Sequence, residues 1–386
     1  MGNGGSGNEN QIEGSAKITT KCDHGQCENF GTSNVGVIEF SGNLNAINQI
    51  ASAGSDCRDS ICVGSANNIG VISDSGNGNV YNQEINANNK CKSKAQCFTQ
   101  NFNFGHISNS GDNNVIDESS SALTDCSSSA GCVAGDFSSA DISSSGNNNK
   151  ITQFSSTISK CQGAASCGGQ PVTSAFMDSA GDGNTIDQKT TFDNHCRSST
   201  CVNFDSSGAS ILDTLNISKD NNRVTQHSQQ DNSCSSESSC RNDNTLAIIV
   251  DGSSGSTVQQ SSDQDNFCLS QSSCTNSASA ASNIGGGESN KQVNQELDQQ
   301  NLCFHSSTCT NTGSVSGESG SNTQTNTCID ESSCNNTGDN NKTICIGSAN
   351  CENKGSDTKV ISKEQDCSSG DPGSITVCAN GRSVTS

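Results

Sequence analysis

The sequence predicts an all-β fold: a β-solenoid (β-helix) of about nine stacked 35-residue repeats whose arcs are stapled by disulfides. Three observations point to it. The 24 cysteines fall mostly in evenly spaced pairs, the sparse apolar residues stand at fixed offsets from those pairs, and a Gly/Asn turn cluster recurs between them. Without that order the composition would read as disorder. Leu, Ile, Val and Phe make up only about one residue in six, Trp is absent and the net charge is −21. Such a chain buries too little apolar surface to offset the entropy of ordering its backbone.

The cysteine pairs set the period. They are Cys22/Cys27, Cys57/Cys62, Cys91/Cys97, Cys126/Cys132, Cys161/Cys167, Cys196/Cys201, Cys234/Cys240, Cys268/Cys274 and Cys303/Cys309, and their first members advance by 35, 34, 35, 35, 35, 38, 34 and 35 residues. Ten residues before each first cysteine stand Ile12, Ile47, Tyr81, Ile116, Ile151, Ile186, Val224, Val258 and Val293. Nineteen before stand Ile38, Ile72, Ile107, Ile142, Met177, Leu215, Ile249 and Ile284. These two sets are the expected core columns.

Around the first column the residues alternate. Asn45, Asn79, Asn114 and Asn149 lie two positions before it, and Gln49, Gln83, Gln153 and Gln188 two positions after, with Glu118 in the same place in one repeat. Asn, Ile and Gln at every second residue is a strand period, so all three side chains share one face. Between the columns lie the turns Ser41-Gly42-Asn43, Ser75-Gly76-Asn77, Ser110-Gly111-Asp112, Ser145-Gly146-Asn147 and Ala180-Gly181-Asp182. There Gly is expected to supply positive φ, and Asn or Asp to bond its own backbone. Each repeat therefore reads as strand, turn, strand and a longer arc carrying the cysteines. The period is compatible with one coil or with two smaller ones.

One repeat cannot fold alone. Stacked at the spacing of hydrogen-bonded strands, repeats bring equivalent positions into columns. The Ile columns then form a thin continuous core, and the Asn and Gln columns form amide ladders in which each side chain donates to one neighbour and accepts from the other. The cysteine pairs are expected as disulfides, within a rung or between adjacent rungs. Zinc is disfavoured because the gap reaches five residues and His24, His106, His195, His227 and His305 keep no common register. No metal or other cofactor is expected.

The pattern divides the chain into a repeat domain over 1–310, with a partial first repeat at 6–27, and a contracted segment over 311–386. In that segment Cys328/Cys334 and Cys345/Cys351 follow at shorter steps, Cys367/Cys378 is widely spaced, and the Ile columns fade; it reads as a cap or tip. The first repeat begins at its turn, which leaves an open strand edge, and soluble proteins normally protect such edges.

The segments Ser41-Gly-Asn-Leu-Asn-Ala-Ile-Asn-Gln49 and Ser75-Gly-Asn-Gly-Asn-Val-Tyr-Asn-Gln83 resemble curlin-type repeats, and the likeness recurs from residue 6 to about 295. Curlin repeats are shorter and lack the cysteine arc. The resemblance implies a β-solenoid subunit of an extracellular amyloid-like fibre.

For function, the cysteine count points to an oxidising compartment, extracellular or at the cell surface. The acidic balance disfavours nucleic acid, and no apolar run is long enough for membrane insertion. The chain carries no G-x-S-x-G, H-E-x-x-H, Walker or Rossmann pattern in a fitting context, so it is not expected to be an enzyme. The leading expectation is a structural subunit of a filament or surface matrix fibre, such as a biofilm matrix. Its partner would be itself, as a homopolymer growing head-to-tail through open solenoid ends, with cell-surface or matrix components as further partners. The alternatives are a monomeric surface adhesin, suggested by acidic turns such as Asp112-Asn113-Asn114, and an ice-binding solenoid. The latter needs Thr columns, and Thr152, Thr185 and Thr225 do not persist through the other repeats.

Overall fold

The structure is a computed structural model that describes residues 2–4, 8–143, 146–178, 181–212, 219–250, 253–284, 292–316, 320–337, 341–346, 349–354, 359–362 and 375–378. It is a parallel β-solenoid in which 35 residues close one coil, not two. A rung contains two strands joined by a tight arc, as in Val80–Lys92 and Gln96–Ser108. The strand before the arc pairs only with its counterparts one rung away, and so does the strand after it. Two parallel sheets result, facing each other across a common interior. In the first two rungs the strand runs unbroken through the arc, over Gln11–Glu39 and Ala46–Ser73.

The register is that of the sequence columns. Cys91, Cys126, Cys161, Cys196, Cys234, Cys268 and Cys303 follow one another as direct partners in the first sheet. The net excess of three residues comes from four extra residues between Leu212 and Arg223 less one in the Cys196–Cys201 arc, so pairing keeps step on both sides. In each strand alternate residues are buried, as in Val80–Lys92 and Gln96–Ser108, which is why a one-residue slip is forbidden.

The interior is layered from one edge to the other. Along one edge run the cysteines with Ala95, Ala130, Ala165 and Ala349. Along the other runs the Ile cluster. The middle is polar or small, broken by patches such as Ala51, Ala53, Ala66 and Ile85. Ile38, Ile47, Ile72, Ile107, Ile116, Ile142, Ile151 and Ile186 are all fully buried.

Two expectations need correction. From the second rung on, the second apolar column keeps a fixed offset of ten residues from the cysteine before it, because the turn leading to the next cysteine varies in length. It therefore continues from Met177 through Ile211 to Val250 and Ile284. Ile249 points outward and is 48% exposed, while Val250 is buried; Leu215 lies outside the described residues. The second correction concerns the turn glycines. Gly76, Gly111, Gly146 and Gly181 are not in the positive-φ conformation; that falls two residues later, at Gly78, Asn113, Asn148 and Gly183. A Cβ on any of those four turn glycines would overlap the Asn or Asp carboxamide or carboxylate of the preceding rung. Gly is needed for close approach of rungs, not for backbone freedom.

The tail tapers. Strands Gly320–Ile329, Asn341–Ile346, Lys359–Ser362 and Ile375–Cys378 continue the first ladder, and Ser333–Thr337 and Asn350–Lys354 the second. Residues are lost from the Ile edge while the cysteine edge keeps its column, through Cys303, Cys328 and Cys345.

Candidate functional site: amide ladders, buried acids and an open rung

Each turn begins a ladder. Asn43, Asn77, Asp112 and Asn147 accept through Oδ1 the backbone N–H of the equivalent residue one rung on, at 2.6–2.8 Å. Just beyond, Asn45, Asn79, Asn114 and Asn149 use both amide hydrogens. One goes to the Gly carbonyl three residues earlier (2.5–2.7 Å), the other to the Oδ1 of the next Asn (2.7–3.2 Å). The Gln ladder points the opposite way. Gln83, Gln188, Gln226, Gln260 and Gln295 donate to the preceding rung's Gln at 2.6–3.0 Å, and Gln153 donates to Glu118 at 2.8 Å. Their second hydrogen crosses to a carbonyl of the facing sheet, as Gln49 does to Ile69 and Gln188 to Gly208. A buried primary amide inside the ladder, such as Gln188, is thus fully satisfied by the rungs on either side and the facing sheet.

Further ladders lie in the C-terminal half at offsets not singled out from the sequence. Gln230, Gln264, Gln299 and Gln324 form a second Gln column at 2.6–2.8 Å. Asn232 donates to Asn266 at 2.9 Å and Asn301 to Asn326 at 2.9 Å, while Asn242, Asn276 and Asn311 face them from the second sheet. The same backward count from the cysteine, taken at two and four residues, would have found them. They keep the shortened rungs ordered after the Ile column has ended.

Among the described cysteines, the disulfides lie within rungs, not between them. Cys57–Cys62, Cys91–Cys97, Cys126–Cys132, Cys161–Cys167, Cys196–Cys201, Cys234–Cys240, Cys268–Cys274, Cys303–Cys309 and Cys328–Cys334 are bonded, with Cα separations of 6.2–6.5 Å. Cys22 is also disulfide-bonded. The side chains of Cys27, Cys345, Cys351, Cys367 and Cys378 lie outside the described residues. Sulfurs of adjacent rungs approach within 4.8 Å at four steps of the stack, and the buried cysteines from Cys22 to Cys334 form one seam along the edge. Such a seam implies an oxidising environment. Among the described residues, no helix is long and apolar enough to cross a membrane.

Among the described residues, three carboxyls are wholly buried. Glu118 replaces Gln in the ladder, and desolvation raises it to about 7 against the lowering effect of hydrogen bonds from Gln153 and the Gly105 backbone. Gln83 Oε1 and Glu118 Oε1, direct neighbours in the column, are both buried without a hydrogen-bond partner. The direction of the ladder calls for a donor from position 118 to Gln83 Oε1, and only a protonated Glu118 supplies one. Asp136 and Asp205 project inward from the second sheet, each raised by burial to about 6. Hydroxyls of adjacent first-sheet rungs hold them: Ser120 and Ser155 (2.9 Å) on Asp136, and Thr190 and Ser228 (2.5 Å) on Asp205. These acids are enclosed between the sheets, away from any solute.

The open strand edge sits at the first rung. Gln11–Glu39 pairs on one side with Ala46–Ser73, and on the other, among the described residues, only with Gly2–Gly4 against Val37–Glu39. Ala46 N–H donates backward to the Asn10 carbonyl at 2.8 Å, and Val80 likewise to Asn45. By the same alternation the outward-facing residues of rung one, including Lys17 and Thr19, direct their N–H groups to the open side.

Comparison with known protein families, curated proteins and solved structures gives no match to this chain.

Proposed function

We propose that this protein is a structural subunit of an extracellular filament or surface matrix fibre, amyloid-like in its cross-β order and built by end-to-end stacking of solenoids. The observation that carries the reading is the first rung: a strand of 29 residues whose backbone is paired along one side and, among the described residues, covered on the other only at Gly2–Gly4. Such an edge is a template for another chain. The last described strand, Ile375–Cys378, lies in the column of the cysteine edge. A tail of that kind fits against the cysteine end of another copy's first rung and continues the parallel ladder. Within such a fibre the buried ladders provide cohesion and the staples limit fraying. The curlin-like turn and ladder residues favour the same reading.

Electron microscopy of the oxidised protein tests it, together with Lys17→Pro and Thr19→Pro. Proline removes an N–H that faces the open side without breaking an internal bond. Wild-type protein is expected to form unbranched fibres, and both variants to stay as folded single particles. Fibres of equal length from the proline variants would overturn end-to-end growth through this edge.

A further inference from the structure

The two outer faces of the solenoid differ in chemistry. On the first sheet, outward positions carry charges of both signs, among them Glu84, Lys90, Lys92, Asp117, Asp125 and Lys160. On the second sheet, between Ile61 and Leu212, the outward positions hold only two carboxylates, Asp141 and Asp178, together with His106. What they hold instead is apolar. Ile69, Phe98, Phe102, Phe104, Val133 and Phe204 are each 37–45% exposed. Phe102 stacks on Phe137 one rung on, with ring centroids 5.1 Å apart and planes 10° apart, so the rings form an ordered row.

We propose that this face is a lateral interface with a second copy of the same chain. Five rungs at about 4.8 Å by nine residues at about 3.3 Å give on the order of 700 Å². A stable dimer buries roughly 800 Å² per partner, and about half of the outward positions in this area are apolar, a concentration that marks an interaction surface. Charge selects the occupant. With a net charge of −21, two copies repel across most orientations, but this face brings almost no like charge together. Geometry selects it too. Rows of side chains repeating at the strand spacing meet an identical set of rows on another copy, and the two can interdigitate as sheets packed about 10 Å apart. The contact does not depend on end-to-end growth; in a fibre it would pair two filaments side by side.

Sedimentation velocity on the oxidised full-length chain, over a concentration series kept below the onset of fibre growth, tests the proposal. The wild type is expected to reach a dimer that added salt does not weaken, as an apolar contact requires. Phe102→Lys with Phe104→Lys should weaken the dimer by at least about a hundredfold. Both positions face solvent, so circular dichroism and melting temperature should stay near wild type. Lys90→Glu, on the opposite face, should leave the dimer intact. A wild type that stays monomeric throughout, or a dimer that survives both lysines, overturns the proposal. So does a monomeric wild type whose patch instead holds lipid vesicles or an insoluble polysaccharide. Fibre growth by the double variant keeps the two assembly modes separable: thin single filaments mean that only the lateral contact has gone.

Discussion

Gly105 lies against the ring of Tyr81 so closely that a Cβ on it would stand 2.5 Å from the ring carbon Cε1. Gly70, one rung earlier on the same sheet, touches the ring from the other side, and a Cβ there would overlap it. The Tyr81 hydroxyl is 3.1 Å from both Gln49 Oε1 and the Phe104 carbonyl. One tyrosine in an Ile column thus depends on two missing side chains across the interior.

Gly70→Ala should therefore destabilise the protein by about 1–3 kcal/mol through overpacking. Tyr81→Ile should restore the column and rescue Gly70→Ala. Thermal melts of the two single variants and the double variant check this. Additive losses in the double variant would show that the two residues do not compete for space.

The Gln ladder makes its own demand. Gln188 accepts from Gln226 at 2.7 Å and donates to Gln153 at 2.8 Å and Gly208 at 3.0 Å. Gln188→Ala removes a buried side chain and strands partners on both rungs, with an expected cost of about 2–4 kcal/mol. Denaturant titration reads the loss. Gln259→Ala, at an outward position, should change stability by less than about 0.5 kcal/mol.

Much of this was legible in the sequence because a solenoid repeats its own evidence. The Ile47, Asn45 and Gln49 columns each recur at one offset from a cysteine, and periodicity alone places them inside. The second sheet was harder to read. Its interior changes from rung to rung, as in Asn101, Asp136, Pro171 and Asp205 at one position. With no repeated residue there is no column to detect. Ile249 was misplaced because the step from Val250 to Thr257 is one residue shorter than the equivalent step from Ile107 to Val115, and one residue of slip exchanges inside for outside. The close approach at Gly76 and Gly111 depends on the distance between rungs, which no single repeat encodes.

Acidity should stabilise this fold. Asp136 and Asp205 are raised to about 6 by burial, and Asp265, desolvated beside Asp231 and Asp298, is raised to about 6 as well. Groups raised in the folded state bind more protons there than when unfolded, from about pH 4 up to about 6. Stability therefore falls as pH rises through that window and stays lower above it. Melting temperatures should be higher near pH 4.5 than near pH 8. Asp136→Asn should flatten part of that slope.

Reduction should act unevenly along the rod. Each small disulfide loop contributes about 2 kcal/mol in the chain-entropy picture. The rungs from Cys57 to Cys274 keep an Ile edge when reduced, whereas the rung of Cys328 and Cys334 keeps only amide ladders. Hydrogen exchange in reductant should show residues 320–337 losing protection before residues 80–143. Uniform loss would mean that the Ile columns add little.

The directional amide ladder is the central claim, and Glu118 tests it most directly. Ionised, Glu118 has no donor to offer Gln83 Oε1, the unpartnered acceptor of the neighbouring rung. Its carboxyl, raised to about 7, should penalise folding at pH 8 by on the order of 3 kcal/mol, a penalty absent below about pH 4.5. Glu118→Gln supplies the missing donor. Unfolding followed at pH 8 and pH 4.5 should show the variant clearly more stable than wild type at pH 8 and nearly equal to it at pH 4.5. A variant that is less stable at pH 8, or shifted equally at both, would contradict the ladder.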